Sequence, residues 1–306
     1  MPQQPISGLI AAPHTPLTSD RTINVEAIDQ QADLLRRNGV SGAFVCGTTG
    51  ESLSLGVRQR IEVVARWSNV AGDDLPVIVN IAHNSLVDAQ RLAAHAEECG
   101  AAAIATMGPT FIRPGSIDEL VGYLVELTAA APRTPFYYYH IPSLTGLDFS
   151  MVELLTAAED RLPTLAGVKY TDFDLFDFGR CLSLQDGRYN MLFGRDEALL
   201  AALALGARGA VGSTYNLAAP LYLRLIEAFE AGDMPAARDL QHRSRELVAV
   251  LLRHGTSLLA SSKAAMRLVG IDCGPTLPPL VDLSDAEFKA MSADLEEIGF
   301  EEFRCR

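Results

Sequence analysis

A regular alternation of short apolar runs with amphipathic helical patterns, recurring roughly every 25 to 30 residues, limits this chain to very few folds. The runs that fit buried strands are Gly8–Ala12, Gly42–Cys46, Pro76–Ile81, Ala102–Thr106, Thr134–His140, Ala166–Tyr170, Met191–Gly194 and Gly209–Ser213. Between the first two, Val25, Ile28, Ala32 and Leu35 are spaced by three and four and so share one helix face. Asn24 stands at the N-cap of that helix, and Gly39 where a left-handed C-terminal glycine belongs. Similar patterns predict helices over Val57–Val70, Leu86–Glu98, Ile117–Ala131, Met151–Ala158 and Ala198–Leu205. Such an α/β alternation of eight strands with helices predicts a (β/α)8 TIM barrel. The competing open doubly wound sheet would be favoured by a GxGxxG or a P-loop, and neither occurs. After Tyr215 the strand signals stop and the pattern turns helical, with breaks at Gly232–Asp233 and Gly270–Pro279. The expected organisation is a barrel over residues 1–220 and a C-terminal helical extension over 221–306 packed on it.

A chain of 306 residues, 48% of them hydrophobic, suffices for one large core. The net charge of −13 argues against nucleic acid or an anionic membrane surface as partner, since both require a basic footprint. An anionic small molecule, whose charge is met locally, stays open. No apolar run of about 18 residues occurs, and Met1 to Ile6 lack the basic and apolar regions of a leader peptide. Cys46, Cys99, Cys181, Cys273 and Cys305 are scattered, with no CxxC, and read as reduced thiols of a cytoplasmic protein. The histidines form no HxH or HExxH, so no metal site is expected, and no GxSxG nucleophile elbow is present.

In a barrel of this kind the chemistry lies at the C-terminal ends of the strands. Only three of the 25 basic residues are lysines, and one of them, Lys169, falls in such a strand. Strand alternation turns Val168 towards the helices and Gly167, Lys169 and Thr171 inward. Burial there favours the neutral, nucleophilic amine, although a structural ion pair would also explain an inward lysine. The other two, Lys263 and Lys289, lie in helical segments and are expected to be solvated. Tyr137 and Tyr139 share the inward face of their strand, while Tyr138 and His140 take the other. Tyr139 is placed to pass protons to a substrate at Lys169, or simply to pack the barrel. Gly47-Thr48-Thr49-Gly50 is a tight turn whose amides and hydroxyls suit a carboxylate, and equally an ordinary strand-to-helix turn.

Taken together, Gly47-Thr48-Thr49-Gly50-Glu51, Tyr139-x-Ile141-Pro142 and Gly167-Val168-Lys169 resemble the dihydrodipicolinate synthase/N-acetylneuraminate lyase family of class I aldolases. The resemblance covers nearly the whole chain, helical tail included. Tyr139-His140-Ile141-Pro142-Ser143-Leu144-Thr145-Gly146, Gly194-x-Asp196-Glu197 and Gly212-Ser213-Thr214-Tyr215-Asn216 are similar to the lyase branch. Leu144 and Phe111 stand where the synthases carry an arginine and a tyrosine. The resemblance implies a Schiff-base lysine at Lys169, a proton-transfer role for Tyr139, and pyruvoyl-carboxylate binding by Thr48 and Thr49. It further implies that Gly194, Asp196, Glu197 and Ser213 bind the hydroxylated chain of a sialic acid and that Thr171 sits beside the reacting carbon. Arg195 and His140 receive no role. The implied reaction is reversible cleavage of N-acetylneuraminate to N-acetylmannosamine and pyruvate, in a homotetramer and without metal or organic cofactor. The alternatives are an aldolase for another 2-keto-3-deoxy sugar acid, and a sugar-acid-binding barrel without catalysis.

Overall fold

The computed structural model describes residues 5–306. In chain order the regular elements are β1 (Gly8–Ala11), α1 (Val25–Arg37), β2 (Gly42–Val45), α2 (Val57–Ala71), β3 (Val77–Asn80), α3 (Leu86–Glu98), β4 (Ala103–Thr106), α4 (Ile117–Thr128), β5 (Phe136–His140), α5 (Pro142–Thr145), α6 (Met151–Ala158), β6 (Leu165–Tyr170), α7 (Leu175–Ser183), β7 (Asn190–Phe193), α8 (Leu199–Leu205), β8 (Gly209–Gly212), α9 (Tyr215–Glu230), α10 (Met234–Arg253), α11 (Leu258–Ala265) and α12 (Asp285–Glu297). The eight strands pair in parallel, each with its chain neighbour, and β8 returns to β1 to close the barrel. A strand-helix-strand crossover is right-handed, so eight successive units wind the same way and meet.

Alternation along each strand divides the apolar residues between two cores. Ile10, Phe44, Ile78, Ala105, Tyr137, Tyr139, Leu192 and Val211 fill the barrel. Leu9, Val45, Val79, Ile104, Tyr138, Val168, Tyr170 and Phe193 pack outward beneath the helices. The caps expected for α1 are in place: Asn24 accepts from the Ala27 amide at 3.3 Å, and Gly39 is left-handed with φ 70°. β2 ends one residue earlier than its apolar run, because Cys46 turns left-handed (φ 55°) and leaves the ladder.

Helix α7 was not legible in the pattern: it is short, holds Gly179, and exposes Phe176. Its start is fixed instead by Asp174, whose carboxylate accepts from the amides of Phe176 and Asp177. Helix α9 runs across position 220, with Pro220 following a non-helical Ala218. Met291, Leu295, Phe300 and Phe303 of the tail join the same core as the barrel's outer layer.

One expectation is overturned. Lys263 is not solvated: it is buried on α11, its Nζ 2.6 Å from Glu51 Oε1, the pair compensating each other's lost hydration. Lys289 is exposed, as expected. All five cysteines are free. Among the described residues no helix is long and apolar enough to cross a membrane.

Candidate active site

Lys169 lies near the C-terminal end of β6, in register with Tyr139 of β5 and Leu192 of β7. Gly167 precedes it on the same face because β7 passes too close for a side chain: a Cβ there would stand 1.8 Å from the Asn190 carbonyl oxygen. The Lys169 side chain is buried inside the barrel, with Nζ 3.8 Å from the centre of the Phe44 ring and 4.0 Å from that of Tyr139. Among the described residues no carboxylate stands within ion-pair distance, which removes the structural ion pair as its explanation. Burial pushes the amine down from 10.5 to about 7, against the opposing field of the Asp196 carboxylate. At neutral pH a large fraction of Lys169 is therefore the free amine, which a nucleophile requires.

Tyr139 faces the same space. Its hydroxyl lies 3.1 Å from Thr48 Oγ1, linking β5 to the turn after β2. Burial raises the phenol above its usual value, while the nearby hydroxyls of Thr48 and Thr171 oppose the shift. Tyr139 thus holds its proton and has a neighbour through which to exchange it. Thr171, one strand period past Lys169, is buried with its hydroxyl unpartnered among the described residues. Gly194 makes room for it: a Cβ at Gly194 would meet Thr171 Oγ1 at 2.0 Å. The Gly194 amide is already committed, donating to the Tyr170 carbonyl at 2.7 Å.

The turn after β2 is built from two left-handed residues, Cys46 and Glu51, flanking Gly47-Thr48-Thr49-Gly50. It is closed by the Glu51 amide on the Thr48 carbonyl (3.0 Å) and the Ser52 amide on the Gly47 carbonyl (3.2 Å). Asn80 Nδ2 donates to the Cys46 carbonyl and to Ser52 Oγ, and Thr15 Oγ1 donates to the Gly50 carbonyl. Among the described residues the amides of Thr48 and Thr49 meet no acceptor, which leaves them free for an anion.

The ends of β7 and β8 supply the remaining groups. Asp196 is buried, and its Oδ2 accepts from the Thr214 amide (2.9 Å) and hydroxyl (2.5 Å). Its other oxygen lies against Gly212, where a Cβ would come within 2.0 Å. Burial, with Glu197 nearby, raises this carboxyl to about 6 despite the Thr214 bonds. Glu197 and Ser213 are half-buried, and the Ser213 hydroxyl has no partner among the described residues. Arg195 stacks over Phe173 at 4.5 Å and stands 3.9 Å from Glu197.

The strand ends thus bring Lys169, Tyr139, Thr48 and Thr171 together, and set Asp196 where its charge is felt by the lysine. Sequence reasoning passed over Phe44 and Thr214. Phe44 was findable by alternation along β2, whereas Thr214 carries no signal beyond adjacency to Ser213. His140 packs on Tyr170 outside the barrel, ring centres 4.9 Å apart, in the one group of His, Asp or Glu residues close enough to hold a cation among the described residues, with Asp148 and Asp172. Leu144 and Phe111 are exposed, on α5 and in the loop after β4.

Residues 5–298 match the Dihydrodipicolinate synthetase family. The N-acetylneuraminate lyase of Pongo abelii is 41% identical over 306 residues, covering 99% of this chain and 95% of that protein. Among solved structures, the N-acetylneuraminate lyase of Proteus mirabilis superposes with a TM-score of 0.94 at 40% identity, over 97% of this chain and 100% of that one. The N-acetylneuraminate lyase (sialic acid aldolase) of Aliivibrio salmonicida gives 0.94 at 40% identity, over 97% and 98%.

Proposed function

Because this chain belongs to the dihydrodipicolinate synthetase family, we propose that it is a class I aldolase, a carbon–carbon lyase that reversibly cleaves N-acetylneuraminate to N-acetylmannosamine and pyruvate. The observation that carries this reading is Lys169: a buried, unpaired amine, brought to about 7, at a strand end of the barrel beside a protonated phenol.

The neutral amine of Lys169 attacks the C2 ketone of the open-chain sugar acid, and loss of water gives a protonated imine. The proton of the C4 hydroxyl leaves by a relay: the Tyr139 oxygen accepts it as the phenol's own proton passes to Thr48, whose proton passes to the pyruvoyl carboxylate it holds, from which C3 is later protonated. The C3–C4 electron pair moves into a C2–C3 double bond and the iminium nitrogen receives the displaced electrons. N-acetylmannosamine leaves, the resulting enamine is protonated at C3, and water releases pyruvate and regenerates Lys169. The free amides and hydroxyls of Thr48 and Thr49 hold the pyruvoyl carboxylate, and Thr171 lies beside C4. Gly194, Asp196, Glu197 and Ser213 receive the hydroxylated chain, whose many hydroxyls match a wall of carboxylate, carbonyl and hydroxyl oxygens. Holding the groups in place before reaction, rather than any added cofactor, supplies the rate in this scheme.

The protein is read as a cytoplasmic homotetramer. Five free cysteines support the compartment. Phe111 and Ile112, 85% and 79% exposed on one loop, support association, since a second copy would remove them from water.

Incubation with pyruvate and borohydride, followed by peptide mass spectrometry, tests the mechanism; N-acetylneuraminate cleavage assayed in parallel tests the substrate. The expected result is a reduced pyruvoyl adduct on Lys169 together with release of N-acetylmannosamine. An adduct without that release assigns another sugar acid, and no adduct overturns the aldolase.

A further inference from the structure

The Glu51–Lys263 pair joins two places 212 residues apart in the chain. Glu51 closes the turn that contains Thr48 and Thr49, and Lys263 comes from α11 in the C-terminal segment. Both side chains are almost wholly buried. The remaining valences are filled from the tail as well: Glu51 Oε2 accepts the Leu277 amide at 2.6 Å, and Lys263 Nζ donates to the Pro275 carbonyl at 2.7 Å. The left-handed Glu51 is therefore gripped from outside the barrel by a helix and a loop. His14, fully buried with its ring nitrogens unpartnered among the described residues, fills the same region. Burial and the Lys263 charge hold its imidazole neutral, so it adds no second cation.

Two physical consequences follow. A buried ion pair adds little net stability over apolar residues of the same shape, but it fixes geometry, and losing one partner leaves a naked charge. Here the naked charge would be a buried carboxylate two residues along the chain from Thr49, at the end of the turn proposed to accept an anion. Like charges repel more strongly in a medium of low polarity than in water.

We propose that Lys263 and Glu51 are positioning residues of the pyruvate site: the tail's lysine locks the Gly47–Gly50 turn and cancels the Glu51 charge, so that the free amides of Thr48 and Thr49 can receive a carboxylate. The C-terminal segment is then part of the active site. This rests on the reading of that turn as the carboxylate site.

The test measures half-saturating pyruvate concentration, by enzyme-catalysed exchange of the pyruvate methyl protons in D2O, and the KM for N-acetylmannosamine at saturating pyruvate. Lys263→Met is expected to raise the pyruvate value by about tenfold or more while the aldehyde KM and the trapping of Lys169 at saturation stay as in the unaltered protein. Glu51→Gln combined with Lys263→Met removes the naked charge and is expected to recover part of the loss. General damage would move both substrates together. Unchanged pyruvate saturation in folded Lys263→Met, or equal losses for both substrates, overturns the proposal. If Lys263→Met does not fold, the double variant decides by the same split between pyruvate and aldehyde. Thr49→Ala is the control on the underlying reading: if it leaves pyruvate saturation unchanged, the turn is not the carboxylate site, and that reading fails separately.

Discussion

At the scale of single residues, the proposed chemistry depends on one proton. Lys169 is poised near neutrality by burial, and the Asp196 carboxylate opposes that shift. In the proposed mechanism the neutral amine is the reactive form, so pyruvate imine formation should rise with pH and level off above about 7. Asp196→Asn removes the charge that holds the amine up, so the acid limb of the profile should move to lower pH. Methyl-proton exchange of pyruvate across pH 5 to 9 reads this without involving the sugar. A limb that stays put, or moves up, would show that Asp196 does not act on the lysine. The same shift has a stability consequence of definite sign. Between pH 7 and 10.5 the unfolded chain binds a proton that folded Lys169 has released, so this group makes stability rise with pH across that window.

At the scale of elements, the site depends on close approach between strand ends. Three glycines, Gly167, Gly194 and Gly212, mark where β6, β7 and β8 come too near one another for a Cβ. Gly194 is the informative one, since the atom it admits is the Thr171 hydroxyl. Gly194→Ala should displace the Thr171 hydroxyl from the place beside the reacting carbon proposed for it, costing roughly 1–3 kcal/mol of stability by overpacking. Cleavage should fall by about tenfold or more from the lost alignment. Thermal melting and steady-state cleavage together check this, and a stable variant with unaltered turnover would remove Thr171 from the site. Alternation and turn residues made β5, β6 and the turn after β2 legible in the sequence. The short α7 escaped because nine residues give little more than two turns of pattern and Gly179 inside it weakens the helix signal.

At the scale of the whole molecule, barrel and tail share one core. The Cys305 amide donates to the Leu217 carbonyl at 2.7 Å, and Met291, Leu295, Phe300 and Phe303 are buried with the barrel's outer layer. Each such side chain is worth roughly 1.5–3 kcal/mol. Four of them rival the whole net stability of about 5–15 kcal/mol. Ending the chain after Arg253 should therefore abolish cooperative folding, and the full chain should melt in one transition. Circular dichroism melts of both check this, and a truncated protein with a sharp transition of its own would show that the barrel folds without the tail.

The sequence by itself determined the eightfold alternation, and with it the barrel, because the two periodicities are local properties that each segment carries independently. It also determined that Lys169 and Tyr139 face inward, since strand side chains alternate regardless of context. Only the tertiary structure decided what those residues become. The lowered lysine pKa comes from the low-polarity surroundings that eight strands build together. The commitment of Asp196 to Thr214 and the burial of Lys263 against Glu51 are pairings between distant segments. A lysine in a helix reads as solvated until the fold places a buried carboxylate in front of it, and no local pattern records that.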